Sequence, residues 1–237
     1  MIIKLISAEM YCNIHKNIHI LESYLSKHND ADLLVFGESF LQGFDSLCWN
    51  YSKDIDTAVA IESNIMNNIC SLSRKYNVAI SFGFYESYKN NIYSSNIVID
   101  NSGNIINIYR RISNTWTIPG VSNEYKTGND FTKFQLYGKQ VVVAICGDLW
   151  FEDNIDKINQ LAPDLILWPL YIDYSKEEWK EIGENDYNQQ ISKLKAPVLM
   201  INSYSLDING ALGGAYVFDK GQIQKCLQLG NIGTLIV

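Results

Sequence analysis

The chain opens on an apolar run, Ile-Ile-Lys-Leu-Ile-Ser-Ala at residues 2–8, which predicts a strand. Asn13 stands where a helix cap belongs. Ile14, Ile18, Leu21 and Leu25 then recur at helical spacing, so a helix is expected over 14–28. Residues 32–37, Asp-Leu-Leu-Val-Phe-Gly, read as a short buried strand. Ile61, Ile65, Ile69 and Leu72 predict one long helix over 56–76, and residues 78–84 another strand.

A strand pair is expected at 96–99 and 105–109, because Asp-Asn-Ser-Gly between them has turn chemistry. Residues 112–130 are irregular. Strands follow at 131–136 and 141–145, a short helix at 152–160, and a strand at 165–168. A helix at 184–195, a strand at 198–202 and a final pair at 214–218 and 223–227 complete the pattern. Strand–helix units mixed with hairpins, without repeats or a linker, predict one α/β layered domain over 1–237.

Composition narrows the classes. The chain has 237 residues, is 47% hydrophobic and carries a net charge of −7. Its 19 basic residues are scattered and outnumbered by 26 acidic ones, which argues against nucleic acid as a partner. No apolar run is long enough to span a bilayer, and the N-terminus is too polar for a secretory leader. The five cysteines (12, 48, 70, 146 and 226) are odd in number and widely spaced. The expectation is a cytoplasmic protein with reduced thiols.

Histidine is the usual base near neutral pH. The three here, His15, His19 and His28, all fall in or beside the first helix. Cys12, His15 and His19 could share a helix face, but a solvated surface explains them better than a metal site. No phosphate or dinucleotide motif is present, so neither a metal nor a cofactor is implied. The remaining candidate is a nucleophile served by another base. Val-Val-Val-Ala-Ile runs straight into Cys146-Gly147-Asp148. That pattern fits a thiol at a strand's exit, with turn N–H groups near it; it also fits a packed core cysteine. Leu-Leu-Val-Phe-Gly ends in the same way on Glu38, which is either a buried base or a solvated strand end.

Taken together, these segments resemble the nitrilase superfamily of carbon–nitrogen hydrolases. Leu-Val-Phe-Gly-Glu-Ser-Phe is similar to the family segment that carries a catalytic Glu, here Glu38. Val-Val-Val-Ala-Ile-Cys-Gly-Asp-Leu-Trp-Phe-Glu-Asp resembles the nucleophile segment, with Cys146. Ile-Val-Ile-Asp-Asn-Ser-Gly-Asn-Ile-Ile-Asn-Ile-Tyr-Arg-Arg resembles the strand pair leading to a catalytic Lys. Ala-Pro-Asp-Leu-Ile-Leu-Trp-Pro, Ala-Pro-Val-Leu-Met-Ile-Asn-Ser and Gly-Gly-Ala-Tyr-Val-Phe-Asp-Lys-Gly resemble the strands that follow. The resemblance implies a four-layer αββα sandwich that pairs into homodimers or larger assemblies.

One position departs from the family. Arg111 stands where the Lys is expected; it keeps the charge but does not exchange protons. Glu124, in Ser-Asn-Glu-Tyr-Lys-Thr-Gly, is the candidate for the family's second Glu, or else a solvated loop carboxylate. The resemblance implies a small amide-like substrate, with Gly147 at the oxyanion. Trp116, Trp168 and Tyr171 are candidate pocket residues, or core and dimer contacts. Two alternatives remain beside hydrolysis: a catalytically impaired binding protein, and a thiol acyltransferase.

Overall fold

The protein is described from a computed structural model covering residues 1–206 and 210–237. In chain order, β1 (Ile3–Ser7) and the short β2 (Glu9–Met10) lead into α1 (Ile14–Lys27). Then come β3 (Leu33–Val35), α2 (Tyr51–Thr57), α3 (Asn64–Tyr76), β4 (Ala79–Tyr88), β5 (Asn91–Ile99), β6 (Ile105–Arg110) and β7 (Tyr125–Lys126). The second half runs β8 (Lys133–Leu136), β9 (Lys139–Val143), α4 (Glu152–Leu161) and β10 (Leu165–Leu170). There α5 (Lys176–Glu178) continues through a π-helical turn into α6 (Glu184–Ile191). The chain closes with β11 (Val198–Asn202), β12 (Tyr204–Ser205), β13 (Ala215–Asp219), β14 (Gln222–Leu227) and β15 (Gly233–Ile236).

Two sheets result. One has the order β15-β1-β3-β4-β5-β6 with β7 on β5; the other has β14-β13-β11-β10-β9-β8. In each, three central strands are parallel: β1, β3 and β4 in the first, β9, β10 and β11 in the second. Parallel strands need helical crossovers, and α1, α3, α4 and α5–α6 lie between successive strands along the chain. This explains why the central strands are apolar on both faces.

Side-chain alternation sorts the layers. Ile3, Leu5, Leu33, Val35, Ala79 and Val98 pack into a core shared with Val141, Ile166 and Leu199 of the other sheet. Ile6, Leu34, Ile80 and Phe82 face the other way, onto Leu21 and Leu25 of α1 and Met66 and Ile69 of α3. Ile155 and Ile158 of α4 and Tyr187 and Ile191 of α6 cover the second sheet. The order of layers is therefore helix, sheet, sheet, helix, the four-layer sandwich expected from the sequence. Each fully buried Leu or Ile contributes ~1.5–3 kcal/mol.

Two expected helices change. The long helix over 56–76 divides into α2 and α3. Between them Val59 is drawn onto the flank of β4: its N–H donates to the Tyr85 carbonyl at 2.9 Å, and its own carbonyl accepts from Ser87. Ser63 then caps α3, its side chain accepting from Met66 N–H at 3.2 Å. The helix expected over 184–195 begins at 176 and ends at 191. Finally, β15 adds antiparallel to β1, a long-range pairing that no local signal announced. Asn13 caps α1 as expected, accepting from Lys16 N–H at 3.0 Å.

Candidate active site

Glu38, Arg111 and Cys146 lie just beyond the carboxyl ends of β3, β6 and β9. β3, β4 and β6 run in one direction, since β4 pairs antiparallel with β5 and β5 antiparallel with β6. The first sheet therefore delivers Glu38 and Arg111 to the same end of the sandwich. That is where open α/β sheets place their ligands.

Glu38 is 1% exposed and Arg111 3%. Arg111 Nη1 donates to Glu38 Oε1 at 2.8 Å, and Ser94 Oγ donates to the same oxygen at 3.2 Å. Glu38 Oε2, also buried, has no hydrogen-bond partner among the described residues. Arg111 Nε donates to Ser113 Oγ at 2.8 Å and Nη2 to Thr115 Oγ1 at 2.6 Å. Burial opposes the guanidinium charge, but the nearby Glu38, Cys146 and Asp148 more than offset it. The Arg111 pKa is raised, so the side chain stays charged.

Cys146 opens a 3₁₀ turn, Cys146–Trp150, directly after the extended Ile145. Its φ is +41°, in the left-handed region that non-glycine residues avoid. The chain turns sharply there, and the side chain is left partly exposed at the strand exit. The thiol lies 3.9 Å from the Tyr171 carbonyl oxygen. Burial pushes the thiol up to about 12; Glu38 adds to this and Arg111 works against it. At neutral pH the resting sulfur is therefore a thiol, within electrostatic reach of Glu38 and Arg111.

Asp148, fully buried, fastens these parts together. Its Oδ1 accepts from the N–H groups of Ile112 and Ser113 at 3.1 and 2.7 Å. Its Oδ2 accepts from Tyr109 Oη at 2.6 Å and Ile145 N–H at 2.9 Å. One side chain thus ties the Arg111 turn to the Cys146 turn. Gly147 closes the contact: a Cβ there would meet Thr115 Oγ1 at 2.4 Å and Arg111 Nη2 at 2.6 Å.

Comparison with known sequences decides the family. Residues 5–185 match the family described as carbon-nitrogen hydrolase. The chain belongs to the carbon–nitrogen hydrolase family. Among curated relatives of this family member, a citrullinase from Francisella tularensis is 28% identical over 180 residues, 70% of this chain and 60% of that protein. An (R)-stereoselective amidase from Pseudomonas sp. is 25% identical, covering 58% of this chain and 47% of its own length. The chain spans three fifths or less of these relatives. Among solved structures, an amidase from Nesterenkonia sp. superposes with a TM-score of 0.80 at 15% identity, covering 100% of this chain and 89% of that one. That likeness establishes the shared fold.

The hydrolase fold treats the remaining site candidates differently. Gly147 sits beside Arg111, as above. Trp168 is fully buried and stacks on Tyr187; its Nε1 donates to the Cys146 carbonyl at 2.9 Å. It steadies the Cys146 backbone and offers no surface to a substrate. Trp116 is 5% exposed, inside an aromatic cluster with Trp49, Tyr85 and Tyr125. It too is a core residue. Tyr171 is partly buried, stacked on Phe44 at 3.8 Å, with its hydroxyl donating to Asp45 at 3.2 Å.

Glu124 makes its contacts elsewhere. Its carboxylate is held below the usual range by a hydrogen bond from Ser122, and its carbonyl accepts from Ile92 N–H. None of the hydrogen bonds described for Glu38 or Arg111 involves it. Asp148, Ser94, Ser113 and Thr115 were missed from the sequence. Asp148 was visible within Cys-Gly-Asp, but a carboxylate that accepts four hydrogen bonds looks locally like any other. A cavity of about 420 Å³ beside Tyr93, Arg110, Lys126 and Asp130 lies apart from Glu38 and Cys146.

Proposed function

We propose that this protein hydrolyses a non-peptide C–N bond of a small amide or ureide through a thioester on Cys146. The observation that carries the reading is Glu38: one carboxylate oxygen is tied to Arg111, and the other is buried without a partner, while the carboxyl lies within electrostatic reach of the Cys146 thiol. Glu38 Oε2 takes the Sγ proton as sulfur attacks the substrate carbon. The carbonyl oxygen gains the negative charge, and Arg111 with the Gly147 N–H stabilises it. The C–N bond then breaks, and Glu38 returns the proton to the departing nitrogen. Water attacks the thioester, giving its proton to Glu38, and the acyl group leaves as an acid while the thiol re-forms.

Arg111 acts in this scheme as a fixed charge, because a guanidinium does not exchange protons near neutrality. Proton transfer falls entirely to Glu38, and Glu124 has no role. The names of the relatives, a citrullinase and an amidase, support a ureide or amide substrate. In a glutamate-to-glutamine mutant of a structural neighbour, the amidase from Nesterenkonia sp. AN1, the active-site cysteine carries the acetamide moiety of fluoroacetamide by covalent addition, which supports a nucleophilic role for Cys146.

The test is ammonia release from a panel of small amides and ureides, with Cys146→Ala as control. Turnover that vanishes in Cys146→Ala is the expected result. Turnover that survives the substitution would sink the mechanism. Release of a transferred acyl group to added amines, in preference to water, would favour the acyltransferase reading.

A further inference from the structure

Two consecutive arginines at the end of β6 each pair with a buried glutamate, and they do so differently. Arg110 grips Glu86 with a fork: Nε donates to Oε2 at 2.7 Å and Nη2 to Oε1 at 2.5 Å. Both carboxylate oxygens are used, and Ser95 Oγ adds a third bond at 2.7 Å. This two-pronged contact is the usual geometry of an arginine on a carboxylate. Arg111 touches Glu38 through Oε1 alone.

The difference lies in what holds the rest of the fork. Nε and Nη2 of Arg111 are engaged by the hydroxyls of Ser113 and Thr115, at 2.8 and 2.6 Å. Both hydroxyls come from the loop that Asp148 pins through the Ser113 N–H. Gly147 leaves the room this requires, since a Cβ there would lie 2.4 Å from Thr115 Oγ1 and 3.2 Å from Ser113 Oγ. Three acceptors thus surround three separate nitrogens of one planar group. An ammonium, with all its donors on one atom, does not match that arrangement.

We infer that Ser113 and Thr115 are positioning residues that hold Arg111 to a single oxygen of Glu38, keeping the other oxygen free for the Cys146 proton. This rests on the reading of Glu38 as the base. Without the hydroxyls, Nη2 would be buried and unpaired. The fork would turn onto both glutamate oxygens, as Arg110 does on Glu86. The carboxylate would then be a weaker base with no open site. The arginine in this family member is accordingly a built feature of the site, supported by its own loop, and Arg111→Lys leaves that loop's acceptors unfilled.

The test is a crystal structure of Thr115→Val and of Ser113→Ala, with ammonia release measured on the amide and ureide panel above. In Thr115→Val, Arg111 should contact both Glu38 oxygens, and kcat should fall about 10-fold with little change in KM. Thr115→Ser should restore both the single contact and kcat. An Arg111 that keeps its single contact in both variants overturns the inference, as does an unchanged kcat despite a turned fork. Wild-type protein that releases no ammonia would count against the hydrolase reading alone. The crystal structures would still decide whether the hydroxyls set the contact.

Discussion

Arg111 Nη1 lies 2.8 Å from Glu38 Oε1, and both side chains are almost wholly buried. A pair so shielded stands or falls together, because either charge left alone is stranded in a low dielectric. Glu38→Gln should therefore lose twice. Turnover should fall by ~10²–10⁴-fold with the base removed. Stability should fall by on the order of 3 kcal/mol, since the guanidinium keeps its charge without its counterion. Steady-state ammonia release and urea unfolding measure the two effects. An unchanged unfolding midpoint would mean that Ser113 and Thr115 suffice to hold the arginine.

The strain at Cys146 can be separated from its chemistry. Both Cys146→Ala and Cys146→Gly remove the thiol and should abolish turnover. Only glycine accepts a φ of +41° freely. Cys146→Gly should therefore be more stable than Cys146→Ala by about 1 kcal/mol, read by thermal unfolding. The reverse order would mean that the turn is relaxed by its surroundings.

Thiol reactivity should follow burial. The Cys146 thiol is pushed up to about 12, chiefly by burial and then by Glu38. Its thiolate fraction therefore rises throughout the alkaline range, where an ordinary thiol would already have levelled off. Alkylation by iodoacetamide, located by mass spectrometry, should be slower at neutral pH than that of a small free thiol and should climb steadily with pH. Arg111 lowers the thiol's pKa, so Arg111→Ala should move the climb to still higher pH. Fast labelling at neutral pH would show a standing thiolate and remove the need for Glu38 in the first step.

Asp148 accepts from Ile112, Ser113, Ile145 and Tyr109. An amide in its place turns one acceptor oxygen into a donor. Asp148→Asn should leave one pair of these donors unmet and cost ~2–4 kcal/mol. Arg111 and Cys146 should lose their registry, so turnover should fall although neither residue is changed. Urea unfolding and ammonia release together check this. Loss of stability with full turnover would confine Asp148 to a folding role.

The fold was legible because burial writes itself locally. Val141 to Ile145 and Leu33 to Phe36 are apolar without alternation, as strands covered on both faces must be. The cap at Asn13 and the turn at Asp100–Gly103 depend on neighbours a few residues away, and both were readable. The break between α2 and α3 was not. Its cause, Val59 bonding to Tyr85, spans 26 residues and leaves no periodic mark. β15 was missed for the same reason: its partner β1 lies at the other end of the chain.

By itself the sequence determined the layered fold, the family and the strand ends that carry Glu38, Arg111 and Cys146, because periodicity and short motifs are local properties. Tertiary structure alone decided what those ends do to one another. Contacts across 73 residues make Glu38 and Arg111 a pair; Asp148 reaches backbone N–H groups 35 and 36 residues away and so joins two turns; and burial raises the Cys146 pKa further above neutrality. It also moved Trp116 and Trp168 from pocket to core and left Glu124 beside Ser122. Hydrogen bonds and desolvation act through space, and side-chain identity along a chain does not specify which neighbours will supply them.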